Sequence, residues 1–455
     1  MMQGISVALT GLYAAQKAMD TTGNNISNVN TPGYSRQRVD LEAIGSKMSS
    51  LHSDVNATGL GVRIEQIARL RDQYLEANAL GENSKGGYAD RAAATFDMLE
   101  TTFGEPSDTG IQKQLTDFWK TWDAIASSPR DNAVRTSAVQ TAQTLVSSIN
   151  STSKALGTQR DNEISELRGT IDEINSIAKN LADINKTLLK VDVSDGNSNN
   201  MLDTRDQLIA KLSTLANISV SEADNGSISV SLGGATLVRA DRAKTLELDG
   251  TTNPVVLRWQ DGDGDPTTGF EAYVTGGKAG SLMDSVNVTI PKYQGLLDTT
   301  AKSVIDTVNA QHQLGKDLDG NPGSAFFTGT NAATMAVRQA VVDNPRLIAA
   351  ADAAQGALDI SNADKISKLG TLVDGPDAKY RALINGLGIE SQRASRQQDI
   401  QASITKAAND SAESVSGVNL DEEMTNLMRF QHSYSASAKY LSTLNQVMDS
   451  LLSIV

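Results

Sequence analysis

Large apolar residues repeat every seven positions at both ends of the chain, and this period predicts helices that pack along one face. At the N-terminal end the row consists of Ile5, Leu12, Met19 and Ile26, and Ala8, Leu9 and Ala15 form the adjoining row. At the C-terminal end the row consists of Leu420, Leu427, Tyr434, Leu441, Met448 and Val455, with Leu444 and Leu451 beside it. We predict that these two rows are assembly seams, through which the terminal helices pair with each other and with further copies. A helix pair within one chain, or a simple dimer, would produce the same period.

Helical spacing also dominates the interior of the chain, with one interruption. Apolar residues at three- and four-residue spacing predict helices over 112–126, 132–156, 160–189, 202–215, 294–308 and 378–414. Between 217 and 280 the apolar positions instead alternate with polar ones, as in Ile228, Val230 and Leu232, and turn residues such as Gly233 and Gly234 separate the runs. This interruption predicts a small antiparallel β domain inserted into a helical body.

The predicted fold is therefore mainly α with an inserted β domain. We expect three parts, two of which are discontinuous in sequence. They are a coiled-coil layer of terminal helices (1–38 and 417–455), a body of long bundled helices (39–216 and 281–416), and an antiparallel β insert (217–280).

Composition and charge narrow the possible functions. The 455 residues include 54 acidic and 40 basic side chains, for a net charge of −14, so nucleic acid and anionic membrane surfaces are unsuitable partners. Cysteine is absent, which excludes disulfides, thiolate metal sites and a thiol nucleophile. The first 19 residues contain one basic residue, Lys17, and no long apolar run, so we expect neither a secretory signal peptide nor membrane insertion there.

Candidate catalytic and metal-binding groups are few. His52, His312 and His432 are too scattered to predict a zinc site or a catalytic triad, and no common hydrolase or nucleotide-binding motif occurs. The acidic residues Asp421, Glu422 and Glu423 come at the predicted start of the last helix, where they favour the positive end of its dipole, so capping is the preferred interpretation over acid–base chemistry. We predict no catalytic residue, metal or cofactor.

Two acidic segments resemble calcium loops only in part. Asp261 to Asp265 alternates Asp with Gly, but Pro266 stands where a loop glycine belongs and Ala272 where a bidentate glutamate belongs. We interpret it as a solvated turn, with calcium binding as the alternative. The segment 316–321 is interpreted as a turn as well.

A turn-rich box follows the N-terminal helix. It contains Asn25, Asn28, Thr31, Pro32, Gly33 and Tyr34. Proline and glycine in succession stop a helix, so the box could be a plain helix stop. It also resembles the N-terminal signature of the rod, hook and hook-associated proteins of the bacterial flagellum.

Further segments narrow this resemblance to the hook-associated family, and within it to the first hook–filament junction proteins. Residues 35–38 (Ser-Arg-Gln-Arg) extend the first box, and a second box at 416–423 includes Asn419, Asp421 and Glu422. Residues 200–208 and 308–312 are similar too, whereas the insert from 217 to about 275 matches no segment of the family. The chain is also shorter than the larger members, which carry a further outer insert.

The resemblance implies a structural role. Such a protein forms the junction between hook and filament in the extracellular flagellum, after a transient cytoplasmic stage and export through the flagellar type III apparatus. The implied partners are copies of itself, the hook protein, the second hook–filament junction protein, and a cytoplasmic chaperone that binds the C-terminal helix. Another flagellar axial subunit, of hook or rod, is the close alternative, and an enzyme is a distant one.

Overall fold

A computed structural model describes residues 2–44, 59–190, 198–223, 226–250, 252–260 and 270–452. The chain divides into two compact units. Unit 1 comprises residues 1–85, 173–245 and 402–455, and unit 2 comprises residues 86–172 and 246–401. His52, the Asp261 to Asp265 segment and Val455 lie outside the described residues.

Helices make up most of the described chain. They are α1 (Met2–Ser27), α2 (Gln73–Phe103), α3 (Ile111–Ser127), α4 (Asn132–Leu188), α5 (Asn199–Leu215), α6 (Gly277–Asp284), α7 (Ile290–Gln313), α8 (Gln339–Asp343), α9 (Ser361–Ser367), α10 (Pro376–Ser416) and α11 (Leu420–Leu452). A π-helical turn, Ser285–Thr289, joins α6 to α7, and 3₁₀ turns occur at Pro345–Leu347 and Lys368–Thr371.

The strands are short and all pair antiparallel. They are β1 (Gln37–Ala43), β2 (Val62–Arg69), β3 (Ile218–Glu222), β4 (Ile228–Leu232), β5 (Ala235–Arg239), β6 (Arg242–Ala243), β7 (Leu246–Asp249), β8 (Val256–Trp259), β9 (Gly315–Lys316), β10 (Phe327–Thr328), β11 (Ala336–Val337) and β12 (Ala351–Asp352). Their sheets are β1-β2, β3-β4-β5-β6, β7-β8, β10-β11 and β12-β9.

In unit 1, α1 and α11 pack against each other in opposite directions. Gly4 faces Leu444, and Gly11 faces Ser437, so the partner position on α11 moves backwards as α1 moves forwards. A β-carbon on Gly11 would lie 3.2 Å from the Ser437 hydroxyl oxygen. Glycine therefore allows the two helix backbones to approach closely.

The hairpin β1-β2 packs beside α1 in unit 1. The Val62 N–H donates to the Thr10 hydroxyl at 3.3 Å, and Gly61 has a φ of +104°, which a residue with a side chain rarely adopts. The register of the pair runs from Gln37 opposite Arg69 to Ala43 opposite Val62, with a shift between Asp40 and Leu41.

The strands expected between 217 and 280 form two separate sheets. In unit 1, β3 to β6 form a meander whose β4 buries Ile228, Val230 and Leu232. The buried Asn185 of α4 holds it, since its Nδ2 donates to the carbonyl oxygens of Ile228 at 2.9 Å and Ala240 at 2.8 Å. In unit 2, β7 and β8 form a hairpin with Leu246 opposite Trp259.

Unit 2 has a closed apolar core. Helix α3 buries one face of Ile111, Leu115, Phe118, Trp119, Trp122 and Ile125. These side chains belong to one cluster with apolar residues of α4, α7 and α10, and Phe118 packs against Phe326 and Phe327 at ring-centroid distances of 6.1 and 5.6 Å. Burial of this size is the main source of stability in a folded unit.

The predicted fold class, mainly α with small antiparallel sheets, is confirmed. One helix differs from the expectation: α4 runs without a break from Asn132 to Leu188, where the sequence predicted two helices separated near Gly157. A helical glycine costs only about 1 kcal/mol relative to alanine, so a long flanking helix can absorb it. The predicted segment 316–321 does form a turn. The three-part domain division stays a prediction.

Candidate functional site

Three segments that are distant in sequence meet in unit 1. They are residues 24–36 at the end of α1, residues 200–208 in α5, and residues 416–423 at the start of α11. Each is one of the segments that carried the family resemblance. We call the place where they meet the terminal junction.

Asn25 lies at the centre of the terminal junction and is 1% exposed. Its Nδ2 donates to the Gln37 carbonyl oxygen at 2.8 Å and to Glu423 Oε2 at 2.9 Å. Its Oδ1 accepts from the Tyr34 hydroxyl at 2.8 Å and from the Gln37 N–H at 3.0 Å. Both donors and both acceptors of the amide are used, so this one side chain ties α1 to the box, to β1 and to α11.

Glu423 and Arg36 form an ion pair beside Asn25. Glu423 is 2% exposed, and its Oε1 lies 2.7 Å from Arg36 Nη2, while Arg36 Nη1 lies 2.6 Å from the exposed Glu422. Burial disfavours the Arg36 cation, but hydrogen bonds and charge attraction from the two carboxylates outweigh it and raise the pKa of Arg36. The Arg36 N–H also donates to the Ser416 carbonyl oxygen at 2.7 Å, which joins the box to the end of α10.

Tyr34 remains a neutral donor in this setting. Burial, together with the negative charges of Asp203 and Glu423, raises its pKa to about 12. The hydroxyl therefore keeps the proton that it donates to Asn25 across the physiological pH range.

The Pro-Gly turn docks on α5. Gln207 Nε2 donates to the Pro32 carbonyl oxygen at 2.9 Å. Gly33 has a φ of +73°, and a β-carbon at this position would clash with the same Gln207 nitrogen. Glycine is required here both for the backbone conformation and for the close approach. The box is thus a docking element as well as a helix stop.

Sequence reasoning missed an ionic network on α5. Arg69 Nη1 lies 2.9 Å from Asp203 and 2.6 Å from Asp206, and Arg71 lies 2.7 Å from Asp206. Arg205 is 1% exposed, burial lowers its pKa, and it donates to the Gly226 carbonyl oxygen at 2.8 Å. The resemblance at 200–208 pointed to this segment but gave no partner for its charges.

The other box residues have local roles. Asn28 Nδ2 donates to the Asn24 carbonyl oxygen at 3.0 Å, and the Thr31 hydroxyl donates to Asn28 Oδ1 at 3.1 Å. Asn419 Oδ1 accepts from the N–H groups of Asp421 at 2.9 Å and Glu422 at 3.4 Å, which caps α11. These contacts stabilise the turn and the helix start that the sequence indicated.

The N-terminal seam lies beside the buried face of α1. Ile5, Leu12, Met19 and Ile26 are each half-buried, and Leu9 is exposed. Ala14 and Thr21 are buried, and so are the smaller residues that lie one place before the seam residues or between them: Ala8, Ala15, Ala18, Thr22 and Asn25. With Gly4 and Gly11 they repeat at four- and three-residue spacing, a heptad of small residues that the sequence already contained.

The C-terminal seam is covered only in part. Leu427, Tyr434, Leu441, Leu444 and Met448 are half-buried, whereas Leu420 and Leu451 are 46% and 44% exposed. Met424, Met428 and Tyr440 add further exposed apolar surface to α11. A helix with this much uncovered apolar surface is suited to contact with another protein.

A cleft of ≈ 1860 Å³ opens beside the terminal junction in unit 1. It is lined by residues within 28–35, 66–83, 199–210, 220–228 and 409–419. Among the described residues, no cluster of His, Asp or Glu could hold a metal ion, and no described helix is long and apolar enough to cross a membrane.

Family models match three parts of the chain. The model described as the flagellar hook-associated protein FlgK helical domain matches residues 96–327, slightly more than half of the chain. The model for flagella basal body rod proteins matches residues 5–34, and the model for the C-terminal region of basal body rod FlgEFG proteins matches residues 409–454. The two terminal matches contain the two boxes.

Relatives align with the chain from end to end. Flagellar hook-associated protein 1 of Bacillus subtilis is 27% identical, with 99% of this chain and 97% of the relative covered. The protein of the same name from Salmonella typhimurium is 25% identical, with 99% of both chains covered. A structure described as the flagellar hook junction protein FlgK from Burkholderia pseudomallei covers 76% of this chain and 100% of its own, with a TM-score of 0.67 at 17% identity. That likeness shows a shared fold, and because the helical-domain model spans more than half of the sequence, the chain belongs to the FlgK family of flagellar hook-associated proteins.

Proposed function

We propose that this chain is a structural protein of the bacterial flagellum that forms the junction between hook and filament. The observation that carries this proposal is the terminal junction, because the segments that resemble the family are the ones that hold the two ends of the chain together. The end-to-end match with proteins named flagellar hook-associated protein 1 supports it.

Deletion of the gene tests the proposal directly. We expect cells without this chain to build hooks that carry no filaments, seen by electron microscopy, and the gene supplied in trans to restore the filaments. Normal filaments on the deletion strain would overturn the proposal.

Self-assembly through the terminal helices accounts for the exposed apolar surface of α11. In this proposal, the half-buried and exposed seam residues contact other copies of the chain. The assembled copies contact the hook protein on one side and the second hook–filament junction protein on the other. Burial of an apolar side chain contributes about 1.5 to 3 kcal/mol, so several such contacts per copy are enough to stabilise a tube.

A charge in the seam tests this part. Leu441→Asp places a carboxylate in a half-buried apolar row, and we expect it to block filament attachment while the apolar core of unit 2 stays folded. Asp449→Leu, a change of similar size on the exposed side of α11, serves as the control and should leave attachment intact. Filament attachment in the Leu441→Asp strain would show that α11 does not form part of the packing surface between copies.

We further propose that the protein is exported by the flagellar type III apparatus from the cytoplasm to the extracellular flagellum. Before export, the exposed face of α11 would be covered by a cytoplasmic chaperone, since an amphipathic helix is a ready ligand for an apolar groove. Calorimetry should detect binding of a peptide spanning 420–455 to the flagellar chaperones, and no binding of the chain truncated after 415. Equal binding by the peptide and the truncated chain would show that the chaperone site does not lie on α11 alone.

Another axial subunit, of rod or hook, is the second candidate function. The rod-protein models that match residues 5–34 and 409–454 favour it. The match to the hook-associated helical domain between them favours the junction instead, and the position of gold-labelled protein on isolated flagella would decide between the two. We assign the chain no catalytic role.

A further inference from the structure

Three contacts in unit 1 define the register in which α1 packs against α11. The facing pairs are Gly4 with Leu444, Gly11 with Ser437, and Asn25 with Glu423. Each step along α1 from one pair to the next is matched by an equal step backwards along α11, and each step is a multiple of seven residues. The same rule places Ala18 opposite Phe430. The two helices therefore meet along one heptad row on each.

The apolar part of these rows does not by itself select one register. If α11 moved by seven residues, or about 10 Å, towards the C-terminal end of α1, each row position would meet the next member of the opposite row. The resulting pairs are Gly4 with Leu451, Gly11 with Leu444, and Ala18 with Ser437. We call this arrangement the slipped register. A small residue still faces an apolar or small one at each of these positions, so the helices pack about equally well.

The buried pair of Asn25 and Glu423 distinguishes the two registers. Asn25 Nδ2 donates to Glu423 Oε2 at 2.9 Å, and both residues are almost fully buried. In the slipped register Asn25 would face Phe430, whose side chain offers no acceptor, and Glu423 would lie beyond the end of α1 at Ser27. A buried amide that loses its partner is destabilising. One buried polar residue in an apolar row fixes the register of a coiled coil for the same reason.

The first two turns of α11 depend on Glu423 for their position. Only residues 417–419 separate α10 from α11, so a slip of one heptad has to unwind residues 420–426 into a loop. Glu423 is the one buried side chain in this segment; Leu420 and Met424 are 46% and 49% exposed. Unwinding the segment therefore removes little apolar surface from its present contacts. The polar pair, and not apolar burial, holds these turns in place.

We infer that the Asn25–Glu423 pair sets the register of α1 against α11, and that the slipped register becomes populated when the pair is removed. The inference does not rest on the proposed function, because both helices belong to one chain. The register decides which apolar residues of α11 lie beside α1 and which stay exposed. A chain with the pair therefore presents one apolar surface, whereas a chain without it presents two.

Disulfide trapping in the purified full-length chain distinguishes the two registers, because the chain has no cysteine of its own. Gly11→Cys with Ser437→Cys reports the native register, since the Ser437 hydroxyl oxygen lies 3.2 Å from the β-carbon position of residue 11. Ala18→Cys with Ser437→Cys reports the slipped register, because these positions are now about 10 Å apart along the helices, which a disulfide does not span. Only disulfides in the monomer band are scored, by mass spectrometry of linked peptides. We expect the 11–437 disulfide alone when the Asn25–Glu423 pair is present.

Removal of the pair is the main test. In the chain with Asn25→Ala and Glu423→Ala, we expect the yield of the 18–437 disulfide to rise about tenfold, the effect of losing one buried polar contact that favoured the native register. Glu422→Ala is the matched control, because the Glu422 side chain is 59% exposed, and it should leave the yield unchanged. An unchanged 18–437 yield in the double variant would overturn the inference. Loss of both disulfides would overturn it too, because the packed rows would then hold neither register.

Moving the carboxylate by one heptad gives an independent readout. Glu423→Ala with Phe430→Glu places the acceptor where it meets Asn25 only in the slipped register. In this chain we expect the 18–437 disulfide to form in higher yield than the 11–437 disulfide. Adding Asn25→Ala should abolish that preference, because the moved carboxylate then has no amide to pair with. A higher yield of the 11–437 disulfide in the chain that keeps Asn25 would contradict the register role of the pair.

Discussion

Helices α3 and α11 show how differently two regions of this molecule use apolar residues. α3 has 17 residues and buries six apolar side chains in the core of unit 2. α11 has 33 residues, and the only side chain it buries among the described residues is that of Glu423. The first helix is complete within one chain. The second packs on α1, is held by a polar junction at its start, and keeps part of its apolar face exposed. We propose that this exposed part contacts other molecules.

The largest expected effect is in the closed core of unit 2. Trp122 is fully buried, so Trp122→Ala should lower the free energy of unfolding by about 3 to 5 kcal/mol. Val373→Ala is the control, because Val373 is 99% exposed and should change stability by less than about 0.5 kcal/mol. Urea denaturation followed by tryptophan fluorescence measures both. Similar losses from the two variants would mean that unit 2 lacks the packed core described above.

The second effect is in the terminal junction. Glu423→Ala leaves the Arg36 cation and the Asn25 amide without their buried partner, and should cost about 3 kcal/mol. Glu422→Ala is a matched control one residue away, because the Glu422 side chain is 59% exposed and its pair with Arg36 is worth at most about 1 kcal/mol. Hydrogen exchange should become faster in α1 and α11 for the first variant only. Equal changes would contradict the role of the buried pair.

The third prediction uses a buried histidine of unit 2. His312 is fully buried, its Nδ1 lies 2.5 Å from the Ser324 carbonyl oxygen, and its Nε2 accepts from the Ala349 N–H at 2.9 Å. Burial, with a contribution from Arg135, lowers its pKa from 6.5 to about 4. Below pH 6.5 the unfolded chain therefore binds a proton that the folded chain does not.

Stability of unit 2 should consequently be complete above pH 6.5 and fall as the pH drops towards 4. The expected loss between pH 6.5 and 5 is about 2 kcal/mol, and it occurs above the range in which most carboxylates titrate. Denaturation curves at several pH values measure it. As a control, His432→Gln should leave the pH dependence of the free energy of unfolding unchanged, because His432 is exposed. If the free energy of unfolding of the unmodified chain did not change between pH 6.5 and 5, the pKa of His312 would not be lowered by burial.

The smallest effect tests the close approach of α1 and α11. Gly23 has open space around it, so Gly23→Ala should stabilise α1 by about 0.5 to 1 kcal/mol through helix propensity. Gly11→Ala should gain less, because the new β-carbon would lie 3.2 Å from the Ser437 hydroxyl. Exchange rates of α1 amides compare the two variants, and an equal gain at both positions would mean that the helices do not touch at Gly11.

Local patterns in the sequence determined much of this molecule. Three- and four-residue spacing predicted the helical body, alternation predicted strands between 217 and 280, and Pro32-Gly33 predicted the end of α1. These features depend on residues close together in the chain, and the backbone periods of helix and strand are fixed by local geometry. The sequence segments that resembled the family were also correctly identified, because short motifs remain visible in a single sequence.

Only the tertiary structure decided which residues those motifs contact. Asn25 and Glu423 are separated by 398 positions, and nothing in either box indicates that the Asn25 amide donates a hydrogen bond to the Glu423 carboxylate. The sequence pointed to the large apolar row of α1 and to Ala8 and Ala15 beside it, but not to Gly4 and Gly11, which are the glycines that face α11. A seven-residue period predicts the spacing of a packed row but does not show which row packs most closely, because small residues permit a closer approach of two helix backbones than large ones.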